Sequence, residues 1–248
     1  MVPHNTQQQE RDIDMKSSNI VVAIVTGFAL AGEARAERLV GDRYLSGRAV
    51  IGQHSFEGPA ITGPVDDAFE DSDESGYGVQ VEVSQPLGGG WFTRGMGEWM
   101  TYGDDEDFNT VHLSLGLGYV ADLVALDAGA LYGYAIIGGE YFRADGLDEF
   151  EANPAFGGAG SGEDGDDVGF SGEAGVGATL FDRWDTSLYG KYYNFGDGSG
   201  PGFGARVSYA VNETWTLLGS WDGLWVEDAG YTVDIDTQRF TFGAAWTY

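Results

Sequence analysis

Apolar and polar residues alternate along most of this chain. The segments 76–85 and 110–121 carry a large apolar side chain at every second position, as in Val111, Leu113 and Leu115. A period of two is that of a β-strand, because successive side chains point to opposite faces of a sheet. The runs are also about as long as a tilted strand that crosses a bilayer, which needs roughly 9–11 residues. The pattern therefore predicts membrane-crossing strands.

Ten strands are predicted on this basis, and the short and long connections between them alternate. Their approximate ranges are 43–54, 76–85, 91–102, 110–121, 125–142, 168–181, 184–195, 201–211, 214–226 and 237–248. An even number of strands with short periplasmic turns and longer extracellular loops is the organisation of bacterial outer-membrane barrels. The predicted fold class is all-β, a closed antiparallel transmembrane β-barrel of about ten strands with long acidic extracellular loops. Eight strands is the alternative, if the strand at 43–54 and one neighbour are misassigned.

Charged residues within the predicted strands fall on one phase, which we assign to the lumen. They are Arg48, Glu82, Arg94, Glu98, Asp127, Glu173, Lys191, Arg206, Asp222 and Arg239. An Arg or Lys on the lipid-facing phase would cost about 2–4 kcal/mol at the midplane. Glu140 is out of phase in the fifth strand, which a β-bulge or a position above the bilayer would accommodate. Side chains largely fill the interior of a small barrel, so we expect these charges to pair there and to close it or leave it narrowly leaky.

Composition excludes several classes of protein. The net charge of -28 argues against nucleic acid as a partner, and the content of 14% aromatic and 42% hydrophobic residues argues against a disordered acidic chain. The chain contains no cysteine, which excludes disulfides, thiolate catalysis and cysteine-ligated metals.

The N-terminal residues have the pattern of a secretory signal. A basic start at Met15-Lys16 precedes an apolar run over 20–32, and Ala34-Arg35-Ala36 is a small-x-small cleavage site. We expect residues 1–36 to be a leader, with an upstream extension before Met15, and residues 37–248 to form the barrel domain. The apolar run is short for a helix that spans a bilayer.

Acidic residues concentrate in the longer connections, and two clusters are candidate calcium sites. Asp71, Asp73 and Ser75, with Glu82 further on, nearly match the spacing of an EF-hand loop, although the alternating residues that follow indicate a strand. A looser site on the first three residues remains a candidate. Asp164, Asp166 and Asp167 form the second cluster. The alternative for both clusters is a solvated acidic loop, and no other cofactor is predicted.

No residue pattern indicates an enzyme. His112 and Ser114 have the His-x-Ser spacing of outer-membrane lipid deacylases, but no orienting third residue follows them. The pair occupies the polar phase of an alternating strand, which explains it without catalysis.

The leader, the glycine-rich alternating strands and the aromatic last strand resemble small outer-membrane barrels of the OmpA/OmpX and opacity-protein kind. In the last strand the resemblance is carried by Phe240, Phe242, Trp246 and Tyr248. It implies a place in the outer membrane, contact with its lipid and lipopolysaccharide, and recognition of the last strand by the barrel assembly machinery through β-augmentation. That group usually has eight strands, and this chain departs from it if it has ten.

The expected function is that of a structural, surface-exposed barrel with a filled lumen. A narrow diffusion channel that favours cations is the alternative, and a barrel enzyme acting on lipid or peptide is a lesser one. The sequence does not predict an oligomeric state.

Overall fold

The computed structural model describes residues 38–57, 72–102, 108–145, 165–195, 198–228 and 234–248. These residues form ten strands, and no helix is present among them. The strands are β1 (Tyr44–Glu57), β2 (Ser72–Gly88), β3 (Trp91–Tyr102), β4 (Phe108–Leu126), β5 (Gly129–Asp145), β6 (Gly165–Leu180), β7 (Trp184–Phe195), β8 (Gly198–Ala210), β9 (Trp215–Asp228) and β10 (Asp234–Thr247). The prediction of about ten strands is confirmed over the eight-stranded alternative.

Each strand pairs antiparallel with its neighbours in sequence, and β1 closes the barrel against β10. The register is staggered. Following the hydrogen-bonded partners once around the sheet from Leu45 leads to Glu57, at the opposite end of the same strand. Such a stagger means that the strands tilt relative to the barrel axis, as closure of a barrel requires.

Tight turns join the strands at one end of the barrel, which we call the turn end; the opposite end is the loop end. Gly89 and Gly90 connect β2 to β3 with positive φ angles of 61° and 86°. Phe181 and Asp182 connect β6 to β7 at φ 54° and 55°, and Arg183 N donates to Leu180 O across 3.2 Å. Two consecutive residues of positive φ match the right-handed twist of a hairpin. Short turns of this kind face the periplasm in bacterial outer-membrane barrels.

The turn between β4 and β5 differs from the prediction. The sequence pattern indicated a turn at 122–124, whereas both strands continue to a turn at Asp127 and Ala128. A bulge at Leu123 interrupts the register, since Asp122 pairs with Tyr132 and Val124 pairs with Leu131. The extra residue breaks the alternation and so resembles a turn in sequence.

This turn corrects two predicted positions, that of Asp127 inside the lumen and that of Glu140 outside it. Asp127 lies exposed in the turn and takes no part in lumen ion pairing. Glu140 is buried inside the barrel, in phase with Tyr132 and Tyr134 on β5, and is not an exception to the pattern.

The outer surface is apolar, and aromatic residues ring its turn end. Leu115, Ile137 and Leu188 are more than 60% exposed. The side chains at the turn end include Trp91, Trp184, Trp215 and Trp246, of which Trp91 packs edge-on against Tyr119. Apolar residues outside, charges inside and an aromatic girdle are what a lipid-embedded barrel requires. These features agree with the predicted location in the outer membrane.

Among the described residues, no helix is long and apolar enough to cross a membrane.

Candidate functional site: the charged lumen

Alternation along the strands brings the charged side chains inside, and glycines directly across from lumen tyrosines on the adjacent strand make room for their rings. A Cβ at Gly177 would lie 2.2 Å from the ring of Tyr132, and a Cβ at Gly204 would lie 2.5 Å from the ring of Tyr189. Only glycine allows these rings to lie flat against the wall. Part of the glycine content of the strands thus serves lumen packing.

Glu173 on β6 is the centre of the lumen charges. Its carboxylate lies 2.8 Å from Arg94 Nη2 of β3, 3.0 Å from Arg206 Nη1 of β8 and 3.5 Å from Lys191 Nζ of β7. The hydroxyl of Tyr134 on β5 also donates to it, at 3.0 Å. One buried acid therefore binds groups from four other strands.

Lys191 extends this cluster to β9. Its Nζ lies 3.4 Å from Asp222 Oδ1, and the Tyr189 hydroxyl donates to the same oxygen. Arg206 stacks over the Tyr189 ring at 4.3 Å, a cation–π contact that holds the guanidinium close to Glu173.

Glu82 and Glu98 complete the arrangement. We call the ion-paired lumen residues the charged network; they are Arg48, Glu82, Arg94, Glu98, Glu173, Lys191, Arg206, Asp222 and Arg239. Glu82 on β2 accepts from Arg48 Nη2 of β1 at 2.9 Å and from the hydroxyl of Tyr44.

Glu98 on β3 accepts from Arg239 Nη1 of β10 at 2.8 Å and from Gln80 Nε2 at 2.9 Å. Each of these carboxylates is thus buried beside a cation, which is the condition for a buried charge to be tolerated.

Two lumen carboxylates bind neutral hydrogen-bond donors or histidine in place of Arg or Lys. Towards the loop end, Glu140 lies 2.8 Å from His112 Nε2 and accepts from the Ser171 hydroxyl. Towards the turn end, Asp185 accepts from the Tyr132 hydroxyl at 2.7 Å. Sequence reasoning missed Asp185 and the lumen tyrosines; their period-two positions on the strands were the available signal.

The His112 group does not have the geometry of a hydrolase. Glu140 occupies the middle position between His112 and Ser171, whereas nucleophilic catalysis needs the base to contact the hydroxyl and the acid to orient the base. Ser114, the other half of the His-x-Ser spacing, lines a cavity beside Glu140.

Within the described part of the barrel, two small cavities share Arg94 and Arg206 in their linings, one towards the turn end and one nearer the loop end. Each has a volume of about 40 Å³ open to water. A single water needs about 10–15 Å³ by this measure, so each cavity is large enough for a few molecules. Arg48 and Gln80 line the cavity nearer the loop end, and Arg48 Nε and Gln80 Oε1 are buried without a protein hydrogen-bond partner.

Most of the candidate calcium residues lie where the structure gives no side-chain information. Asp71 and Asp164 are outside the described residues. Asp73 is among the first residues of β2, and Asp166 and Asp167 are among the first residues of β6. Ser75 is exposed on β2. Glu82 is buried in the lumen beside Arg48, so an EF-hand loop cannot use it as its twelfth residue. Within the described ranges no three His, Cys, Asp or Glu side chains converge on a metal position.

The aromatic residues of the last strand face outward. Phe240, Phe242, Trp246 and Tyr248 are all exposed on the lipid side of the barrel, and β10 is paired on both edges. The predicted leader, residues 1–36, lies outside the described residues.

Comparison with known proteins shows similarity of fold alone. No family model matches the chain, and no curated protein matches it. Among solved structures it is similar to Ail, the attachment invasion locus protein of Yersinia pestis, with 12% identity, a TM-score of 0.35 and coverage of 83% of this chain and 98% of that one. It is similar to the outer membrane protein OprG from Pseudomonas aeruginosa, with 13% identity, a TM-score of 0.37 and coverage of 86% and 96%. It is also similar to outer membrane phospholipase A from Escherichia coli, with 11% identity, a TM-score of 0.34 and coverage of 82% and 92%.

Proposed function

We propose that this chain is a structural, surface-exposed protein of the outer membrane whose lumen is closed by the charged network. The observation that carries the proposal is that ion pairs join strands that are not neighbours. Glu98 of β3 binds Arg239 of β10, although β1 and β2 lie between these strands in the barrel. Arg94 of β3 likewise binds Glu173 of β6. Side chains that meet from separated strands occupy the cross-section of the lumen.

The network also explains why the interior can be charged and closed at once. Acids and bases alternate in space, and Glu173 alone contacts three cations. Separating one of these pairs to admit a solute would leave buried charges without partners, at a cost of about 3–5 kcal/mol. A hydrated ion cannot displace the pairs without meeting that cost.

Single-channel recording in a planar bilayer tests the closure. We expect the parent barrel to insert without a stable conductance. The double variant Glu98→Ser with Arg239→Ser removes a pair that crosses the lumen and should show brief conducting openings that the parent lacks. The matched control, Arg48→Ser with Glu82→Ser, removes a pair on neighbouring strands along the wall and should conduct less. A stable, cation-selective conductance of the parent would contradict the proposal and favour the channel.

We further propose that the acidic residues at the loop end bind calcium and so bridge the barrel to lipopolysaccharide phosphates. The supporting observation is charge: the connections at 58–71, 103–107 and 146–164 contain Asp and Glu but no Lys or Arg. Carboxylates this close repel one another within a Debye length of about 8 Å. Calcium suits flexible clusters of oxygen ligands, and extracellular modules bind it with dissociation constants of roughly 10⁻⁴–10⁻³ M.

Limited proteolysis tests the calcium proposal. Millimolar calcium should slow cleavage in 58–71 and 146–164, and monovalent salt of equal ionic strength should do less. Asparagine at Asp71, Asp73, Asp164 and Asp166 should remove most of the protection. Asparagine at Asp127 and Asp182, in the turns of the opposite end, is the matched control and should leave it intact. Equal cleavage with calcium and with chelator would refute the proposal.

A further inference from the structure

The residues just before β1 cross the turn end of the barrel. Leu39 N donates to Asp185 Oδ2 of β7 at 3.1 Å, and Asp42 N donates to Leu39 O at 3.2 Å, so the chain bends over the mouth before it enters the sheet. We call residues 38–42 the strap.

An apolar side chain anchors the strap inside the barrel. Val40 is buried in one cluster with Phe92 of β3, Val120 of β4 and Tyr132 of β5. These walls are the turn-end parts of three strands, so Val40 inserts into the mouth rather than resting on its rim. Burial of a valine side chain in this way is a driving force for docking of the strap.

The rim holds the strap at a second point. Arg38 forms an ion pair with Asp122 of β4, and its guanidinium lies 5.6 Å from the centre of the Tyr132 ring. Gly41 has a φ of +92°, and a Cβ there would lie 2.6 Å from Val120 Cγ1. The close approach and the backbone angle both require glycine at this position.

The strap forms the floor of the turn-end cavity. Leu39, Val40 and Gly41 line this cavity from below, and the charged residues Arg94 and Arg206 line it from above. Ser84 also lines it, and its hydroxyl is buried without a protein partner. The same two arginines line the loop-end cavity, so the charged network separates the two spaces.

We propose that the strap is a periplasmic closure of the lumen, placed in series with the charged network and able to open without it. Opening the strap exposes the turn-end cavity to the periplasm, while the loop-end cavity stays sealed by the ion pairs. The inference depends on the barrel fold and on the strap contacts, and it holds whether or not the surface role proposed above is correct.

Because the chain contains no cysteine, single-cysteine labelling can test this on the full barrel refolded in detergent micelles, where both mouths meet solvent. Ser84→Cys reports on the turn-end cavity, and Ser114→Cys reports on the loop-end cavity. A charged, membrane-impermeant thiosulfonate is the probe. Each reporter is combined with Val40→Asp, which places a charge in the apolar cluster. Phe181→Asp is the matched control, because it makes the same kind of change at an exposed position of the same end.

We expect Val40→Asp to raise the labelling rate of Ser84→Cys by roughly tenfold or more, since the anchor that keeps the strap docked is lost. The rate of Ser114→Cys should not change, and Phe181→Asp should change neither. Rapid labelling of Ser84→Cys in the parent, or an unchanged rate with Val40→Asp, would overturn the proposal. Equal acceleration at both reporters would overturn the series arrangement. If Val40→Asp fails to give a heat-modifiable barrel, Arg38→Ala replaces it. Arg38→Ala should also speed the labelling of Ser84→Cys and leave that of Ser114→Cys unchanged, and an unchanged rate at Ser84→Cys would overturn the proposal.

Discussion

Neutralising Glu173 is the most direct test of the charged network. Glu173→Gln keeps the size and shape of the side chain and removes one negative charge. Arg94, Arg206 and Lys191 then remain within 3.5 Å of a neutral amide, and all of them are largely buried. Removing one partner of a buried ion pair typically costs about 3–5 kcal/mol, because the remaining charge is left uncompensated. We expect the free energy of unfolding to fall by about this amount.

The magnitude is measured by urea titration of the barrel in lipid vesicles, with linear extrapolation to water. Glu140→Gln is the matched control, since Glu140 is as buried as Glu173 but contacts His112 and Ser171 without an Arg or Lys. Hydrogen bonds to a carboxylate contribute about 1.5–3 kcal/mol, so we expect a smaller loss in this variant than in Glu173→Gln. The urea concentration at the midpoint of unfolding should therefore be clearly lower for Glu173→Gln than for Glu140→Gln. The dependence of the unfolding free energy on urea concentration should be the same for both variants.

A compensating substitution separates charge from packing. Lys191→Met removes one of the three cations that lose Glu173 as a partner in Glu173→Gln, although it also leaves Asp222 without its lysine. The double variant should be more stable than the sum of the two single effects predicts, as expected for residues in one network. Equal losses in Glu173→Gln and Glu140→Gln, together with simple additivity in the double variant, would refute the view that Glu173 balances three cations.

Three further predictions follow from the barrel. On SDS gels the folded chain should migrate differently before and after boiling, because a closed sheet leaves no free edge, and recovery only in the soluble periplasmic fraction would contradict this. Gly177→Val should cost about 1–3 kcal/mol in unfolding free energy through overpacking against Tyr132, while Gly172→Val on the same strand has nothing within 4 Å of its Cβ and should be tolerated. Trp246→Ser should slow assembly in cells, because the assembly machinery is expected to recognise the last strand. It should not slow refolding in detergent, where that machinery is absent.

The sequence was sufficient to predict the strands and the side of the sheet that carries charge. β3 and β7 begin and end where the alternation does, at 91–102 and 184–195. Period-two patterning has this power because it is read locally, from residues within one strand. The same information placed Arg94 and Glu173 in the lumen.

The partners of these charges could not be predicted in the same way. Arg94 and Glu173 are 79 residues apart and lie on strands that do not pair with each other. Their contact depends on the stagger of the whole barrel, which sets the height of each side chain relative to every other strand. The strap is hidden for the same reason, because Val40 is adjacent to Phe92 and Val120 only after the sheet has closed.

The wrong assignments of Asp127 and Glu140 have one physical cause. The alternation by itself predicts a break at 122–124, where the bulge at Leu123 interrupts it, and gives residues 125–142 one constant phase. Because a slip of one residue moves every side chain to the other face, an error at the start of the strand reverses the phase to its end. Asp127 was thereby placed in the lumen and Glu140 outside it, whereas the turn at Asp127 and Ala128 resets the phase and buries Glu140. A bulge next to a tight turn is thus the feature that period-two reasoning misplaces, since both interrupt the alternation and only the register distinguishes them.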